Sequence, residues 1–325
     1  MQADCDQLGI NLRAHIKTHK TPEIATMQIR AGAVGICCQK LGEAEVMAAA
    51  GIEDILISYN IVGQTKLARL IRLAKQLPSK LAVTADSQEV IDGLSSQSFN
   101  AACNIRVLVE MDMGGGRCGT QSPKETLQLA QRIDTLPGLE FAGVMYYKSR
   151  DHAPAYLEEV TDSMKSAGLP LQIVSGGGTG AQKKCTLLGC TEARVGSYTY
   201  EGLTRTNTRK ALHPDRNPLR IITTVVSNQR PDKVIVDAGQ KSFGGNMVFP
   251  YGYCVEDPDI FFSGASVEHG HLDVSEASIK LGVGDRLSFI PQHGGMTTNL
   301  YDRIHAVRIG EVLDSWQVAA RGRAH

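Results

Sequence analysis

The residues with most to offer chemically lie near the start of the 325-residue chain, where Arg13-Ala14-His15-Ile16-Lys17-Thr18-His19-Lys20 sets a lysine between two histidines. A lysine in bulk water is protonated and inert, whereas one desolvated at the end of a strand has a lowered pKa and can attack an aldehyde as a Schiff-base nucleophile. A second segment, Glu110-Met111-Asp112-Met113-Gly114-Gly115-Gly116-Arg117-Cys118-Gly119, brings one guanidinium on a flexible turn. Arg117 there can hold an ionised oxygen, or it can satisfy loop carbonyls. In Ser175-Gly176-Gly177-Gly178-Thr179-Gly180 the glycines let backbone amides turn toward an anion, and Ser175 and Thr179 add hydroxyl donors. Gly196-Ser197-Tyr198 supplies a second donor cluster, and a plain glycine turn is the bland alternative for both. His293, in Pro291-Gln292-His293-Gly294-Gly295-Met296, has the chemistry of an acid, a base or a metal ligand, although one histidine makes a poor metal site. Glu268-His269-Gly270-His271 reads as a strand-end turn with solvated histidines, and adjacent Cys37 and Cys38 read as core packing.

Positioning these groups requires a scaffold, and eight runs of strand length are present: 11–17, 32–38, 53–59, 80–86, 105–112, 139–147, 171–177 and 192–198. Stretches with helical apolar spacing, such as 41–50, 64–77, 123–133 and 155–167, lie between them. Alternation of this kind predicts a parallel (β/α)8 barrel of TIM type. An open doubly wound sheet also alternates, but it usually carries its glycine-rich loop after the first strand. Here that place holds Thr18-His19-Lys20, and the glycine-rich loop follows the seventh strand, where barrels bind phosphate. After about Leu212 the pattern becomes β-like runs at 219–226, 233–236, 264–269, 286–290 and 304–309. These predict a barrel over 1–212, a smaller carboxy-terminal β domain over 213–325, and a linker at 213–218.

Composition narrows the function. Lys plus Arg and Asp plus Glu both total 34, so no global field draws in nucleic acid or an anionic membrane. The 8 cysteines are scattered without a spaced CxxC pair, the pattern of reduced thiols in the cytoplasm rather than of a secreted disulfide framework. The opening residues carry no apolar signal-peptide core, and no run has the length of a membrane span, so a soluble protein is expected.

In this order the motifs resemble the fold-type III pyridoxal-phosphate family that includes D-threonine aldolase, 3-hydroxy-D-aspartate aldolase and D-serine dehydratase. Further matching points are Gly35-Ile36-Cys37-Cys38-Gln39-Lys40, Asp237-Ala238-Gly239 and Asn299-Leu300-Tyr301-Asp302. The resemblance spans nearly the whole chain. It implies pyridoxal phosphate (PLP) carried by the barrel, with Lys17 as the Schiff-base lysine and Arg117 on the ring oxygen. The loops at Ser175, Gly176, Gly177, Gly178 and Thr179 and at Gly196, Ser197 and Tyr198 would surround the phosphate, with Tyr147 also at the cofactor. It further implies a homodimer and a small D-amino acid as substrate.

Three departures from the family pattern stand out. The family usually follows its metal-ligating histidine two residues later with aspartate or cysteine, whereas His293 is followed there by Gly295, which puts a divalent ion (Mn, Mg or Zn) in question. The family pattern begins with a further strand, and this sequence opens inside what corresponds to the first barrel helix. The segment after Tyr146-Tyr147 is shorter than usual. The expected activity is cleavage of a β-hydroxy-D-amino acid to glycine and an aldehyde, with Lys17, His293 and Arg117 as the catalytic set. Dehydration to a 2-oxo acid and ammonia is the alternative, followed by racemisation, with Tyr147 or Tyr198 as a second base, and by an inactive PLP-binding protein.

Overall fold

The structure is a computed structural model and describes residues 1–150, 153–200, 217–244 and 250–325. Two compact units emerge: one comprises Met1–Lys17, Thr21–Gly196 and Gly322–His325, the other Thr18–Lys20 and Ser197–Arg321. The predicted boundary between 212 and 213, and most of the predicted linker, lie outside the described residues.

The first unit is a closed barrel of eight parallel strands in sequence order: β1 Asn11–His15, β2 Gly35–Cys38, β3 Ile55–Ile57, β4 Leu81–Ala85, β5 Ile105–Met113, β6 Leu139–Ser149, β7 Ile173–Gly176 and β8 Glu192–Ala193. Pairing of β1 with both β2 and β8 closes it. Eight helices accompany the strands: α1 Gln2–Leu8, α2 Pro22–Arg30, α3 Leu41–Ala49, α4 Gln64–Gln76, α5 Gln88–Asn100, α6 Pro123–Thr135, α7 Ala153–Ser166 and α8 Gln182–Leu187. Inside the barrel Cys37, Leu56, Ala82, Leu108, Ala142 and Met145 form one packed cluster, so the interior is a core and not a pore. Cys37, within that cluster, and Cys38, outside it, are both fully buried, as their core-packing reading expected.

Strands β1, β3 and β8 end at least two residues earlier than their apolar runs suggest, and the first and last of these shape the mouth. β1 stops at His15, and Lys17 sits on the 3-10 turn Ile16–Thr18. β8 keeps only Glu192 and Ala193 as strand, although barrel hydrogen bonds continue through Arg194 N–H to Gly176 and His15 N–H to Val195. Both ends break the ladder where the chain turns out of the barrel mouth.

The second unit is antiparallel. Its six-stranded sheet uses β9 Ile221–Arg230, β10 Lys233–Val236, β11 Gly252–Cys254, β12 Phe261–Ala265, β13 Gly270–Asp273 and β14 Arg286–Pro291, in the order β11-β14-β9-β10-β13-β12. Short helices α9 Gln240–Phe243 and α10 Gly294–Thr298 and the hairpin β15 Arg303–Arg308 with β16 Glu311–Gln317 complete it. Phe243, Phe262 and Phe289 pack edge to face at its centre, with Phe262 5.0 Å from each of the other two. The expected strand over 264–269 is instead mostly the turn between β12 and β13, closed by Ser266 N–H to the His269 carbonyl. That turn leaves Glu268 and His269 exposed, whereas His271 lies half-buried on β13 with Nε2 3.2 Å from Ser266 Oγ, so the solvated-turn reading fits His269 and not His271.

Candidate active site

Parallel strands of a barrel deliver their carboxyl ends to one face, and here that face carries Lys17, Gln39, Glu110, Tyr147, Gly176 and Arg194. Lys17 leaves β1 on its 3-10 turn and donates Nζ to Gln39 Oε1 at 3.3 Å. Desolvation holds its ammonium below the usual lysine range; Arg117 and Arg194 add repulsion, and the Cys37 and Glu43 side chains oppose it. The Gln39 amide also fixes a neighbour. Its Nε2 donates to the Ser58 carbonyl at 3.0 Å, which leaves Oε1 to accept from His15 Nε2 at 3.3 Å. Burial drives the His15 pKa well down, with Lys17 and Arg194 pushing the same way. His15 is therefore a neutral imidazole whose proton lies on Nε2, facing Gln39.

Arg117 is held by Glu110, with Nη2 to Oε1 at 3.1 Å, and its guanidinium carbon lies 4.6 Å from the centre of the Tyr147 ring. Lys17 Nζ lies 5.8 Å from the same ring centre. Glu110 is buried, and burial raises its pKa against the downward pull of Arg117. The turn before Arg117 is ordered by Asp112, whose carboxylate accepts backbone N–H groups from Gly114, Gly115 and Gly116. Gly119 has φ +119, and a Cβ there would lie 2.4 Å from the Asp112 nitrogen, so only glycine lets the turn fold back on β5.

Below the mouth a buried ionic chain crosses the barrel. Arg13 pairs with Asp54 at 2.6 Å and with Glu192 at 2.8 Å; desolvation opposes its charge, but the two carboxylates more than offset this and raise its pKa. Glu192 accepts from the Ser175 hydroxyl, which in turn accepts from Arg194 Nη1 at 2.7 Å, and Arg194 Nη2 donates to the Tyr146 carbonyl. Ser175 is fully buried with its hydroxyl engaged at both ends, so it positions Arg194 rather than facing the mouth as a phosphate donor. The loop beyond it, Gly177 to Gly180, departs from β7, and Thr179 Oγ1 accepts the Gly196 N–H at 3.1 Å, tying the two glycine segments together. A Cβ on Gly196 would lie 2.6 Å from the His15 carbonyl, whereas one on Gly178 would meet only Tyr147 at 3.5 Å.

Of the residues singled out in the sequence, Lys17, Arg117, Tyr147, Gly178, Thr179 and Gly196 are brought by the barrel to one mouth. Ser197 and Tyr198 lie on the following 3-10 turn, half-buried and grouped with the second unit. His293 also belongs to that unit, where its Nδ1 accepts the Met296 N–H at 3.1 Å and caps α10. Sequence reasoning missed Gln39, Glu110, Glu192 and Arg194 as parts of the site. Charged residues inside otherwise apolar strand runs are the signal that marks three of them.

The mouth fits an aromatic aldehyde phosphate. It offers an amine with a lowered pKa, an aromatic and guanidinium wall, and glycine loops with Gly178 open toward Tyr147. The His293 segment does not fit a divalent ion. It offers one imidazole with Nδ1 already engaged and glycine two places on, and among the described residues no group of three or more His, Cys, Asp or Glu stands together.

The family pattern described as "Alanine racemase, N-terminal domain" matches residues 2–203, and that described as "Putative serine dehydratase domain" matches 218–307. The chain is 36% identical to the D-threonine aldolase of Arthrobacter sp, over 99% of this chain and 88% of that protein. It is 31% identical to the 3-hydroxy-D-aspartate aldolase of Paracoccus denitrificans (strain Pd 1222), over 98% and 86% respectively. The crystal structure of D-threonine aldolase from Filomicrobium marinum superposes with a TM-score of 0.88 at 31% identity, covering 100% of this chain and 92% of that one. No helix among the described residues is long and apolar enough to cross a membrane.

Proposed function

Because the chain belongs to the alanine racemase N-terminal-domain family and is similar along its length to D-amino-acid aldolases, we propose that it cleaves β-hydroxy-D-amino acids, of which D-threonine is the type, to glycine and an aldehyde. The observation that carries this reading is Lys17: an amine of lowered pKa at the barrel mouth, beside the Tyr147 ring and the Arg117 guanidinium. When bound, PLP supplies a ring that accepts the electrons of the bond broken at Cα. The protein's residues do the rest. Lys17 would hold the aldehyde through its amine, which Gln39 orients by accepting from Nζ. Arg117, braced by Glu110, would hold the ring oxygen ionised; Gly176, Gly177, Gly178, Thr179 and Gly196, with Ser197 and Tyr198, would receive the phosphate. The Arg194 guanidinium near Lys17 and His15 disfavours protonation of both.

A base must take the proton from the substrate's β-hydroxyl, and His293 is our candidate by residue type. Because Nδ1 accepts the Met296 N–H, His293 can take that proton only if this capping bond is released, since the other ring nitrogen of the neutral imidazole carries the hydrogen. The match of 218–307 to a serine dehydratase domain favours one second reading, loss of the β-hydroxyl to give a 2-oxo acid and ammonia. We read the protein as a cytoplasmic homodimer that takes a small D-amino acid.

The deciding experiment incubates the purified protein with D-threonine and PLP, with manganese or with EDTA, and scores glycine against 2-oxobutanoate. Glycine is the expected product. 2-Oxobutanoate alone would replace the aldolase reading with the dehydratase one, and neither product would overturn both. A rate unchanged by EDTA is expected from the Gly295 segment, and strict manganese dependence would show that an ion is held by groups other than those named here.

A further inference from the structure

Beneath the glycine loop, and outside the catalytic groups described above, lies a buried trio of Tyr146, Cys185 and Cys190. Local sequence creates it. α8 ends in a left-handed Gly189 at φ +71, with Gly189 N–H bonded to the Thr186 carbonyl and Cys190 N–H to the Cys185 carbonyl, each at 3.0 Å. This is a Schellman ending, a motif that brings the side chain three places before the helix cap against the one two places after it. Here both are cysteines.

The Tyr146 hydroxyl lies 3.6 Å from Cys185 Sγ and 3.3 Å from Cys190 Sγ. The hydroxyl donates to Cys185, whereas either partner can be the donor in its contact with Cys190, so Cys185 is the sulfur toward which the Tyr146 proton points. Hydrogen bonding from Cys190 and Tyr146 holds the Cys185 thiol down to about 7 against the effect of burial, while Cys190 is pushed up. Both sulfurs also support the loop from below. A Cβ on Gly176 would lie 2.9 Å from Cys190 Sγ, and one on Gly177 would lie 2.7 Å from Cys185 Sγ.

We propose that Cys185 and Cys190 form a peroxide-oxidisable dithiol site whose disulfide loosens the glycine loop above it. The Cys185 thiolate attacks one peroxide oxygen, breaking the O–O bond, and hydroxide leaves with a proton as water. The Cys190 thiol then attacks the resulting sulfenic sulfur, forming the S–S bond and releasing a second water. Two thiols are oxidised and one hydrogen peroxide is reduced to two waters. Joining the sulfurs removes them from Tyr146 and from the undersides of Gly176 and Gly177, so the loop loses its support. The effect on the loop rests on the phosphate-binding reading given above, whereas the disulfide itself does not.

The two claims separate in one experiment. The cofactor-free protein is treated with hydrogen peroxide, alkylated and digested with trypsin, which cuts after Lys184 and Arg194 and so releases both cysteines on one peptide, residues 185–194. That peptide is expected to lose roughly 2 Da and resist alkylation until reduced by dithiothreitol. If it instead gains oxygen, or is alkylated at both cysteines, the site is overturned. PLP binding followed by visible absorbance is expected to weaken about fivefold or more on oxidation and to recover with dithiothreitol. Cys185→Ala and Cys190→Ala should each be insensitive to peroxide. A disulfide that forms without changing PLP affinity would overturn the regulatory half alone. Absence of PLP binding to the reduced protein would overturn the cofactor reading and leave the dithiol result standing.

Discussion

Lys17 departs from an ordinary lysine because its ammonium is desolvated and sits beside two arginines, and both effects favour the neutral amine. The sign follows: the amine becomes reactive as pH rises through a pKa lower than the usual value of about 10.4. Arg117→Gln removes one repelling charge, which favours the protonated form, so the pH midpoint of Lys17 should move upward. Competitive labelling of Lys17 across pH, read by mass spectrometry, measures it, and a midpoint that stays or falls contradicts this account of the pocket. Lys17→Ala should abolish the borohydride-reducible absorption of bound PLP and lower activity on the order of 10³-fold or more. A reducible band that persists in that variant would mean another lysine holds the cofactor.

The elements hold these side chains through two different devices, one ionic and one steric. Glu192 on β8 ties Arg13 of β1 to Ser175 of β7, and Arg13 reaches on to Asp54 just before β3. Glu192→Ala leaves a buried arginine short of one partner and should cost about 3–5 kcal/mol in urea unfolding. A loss under about 1 kcal/mol would mean that the chain contributes nothing to closing the barrel. The glycine loops supply a contrast between two substitutions of the same size. In Gly196→Ala the new methyl meets the His15 carbonyl, which is backbone and cannot swing aside, so about 1–3 kcal/mol should be lost. Gly178→Ala meets only the Tyr147 ring edge at contact distance and should leave stability within about 0.5 kcal/mol while weakening PLP binding. Thermal melts of the two variants side by side distinguish a packing glycine from a ligand-facing one.

For the whole molecule, the homodimer reading predicts a light-scattering mass near twice 35.1 kDa, and a monomer that is fully active would refute it. Much of the fold was legible in the sequence. Eight apolar runs separated by helical stretches specify a parallel barrel because each strand, buried on both faces, must read as continuously hydrophobic. The β-rich carboxy-terminal part was legible from its turns, although the turn at 266–269 was mistaken for strand because its flanking residues are themselves β-formers. Of the site, sequence alone determined which groups have the chemistry: an amine at a strand end, a turn arginine, and glycines where a phosphate loop belongs. Residue type and the order of motifs carry that information locally. Only the tertiary structure decided which groups meet. It set Gln39 against Lys17 and His15, turned Ser175 inward to Glu192 and Arg194, and paired Glu110 with Arg117. Those partners come from different strands, so their contacts are fixed by barrel closure and register, which no short stretch of sequence contains.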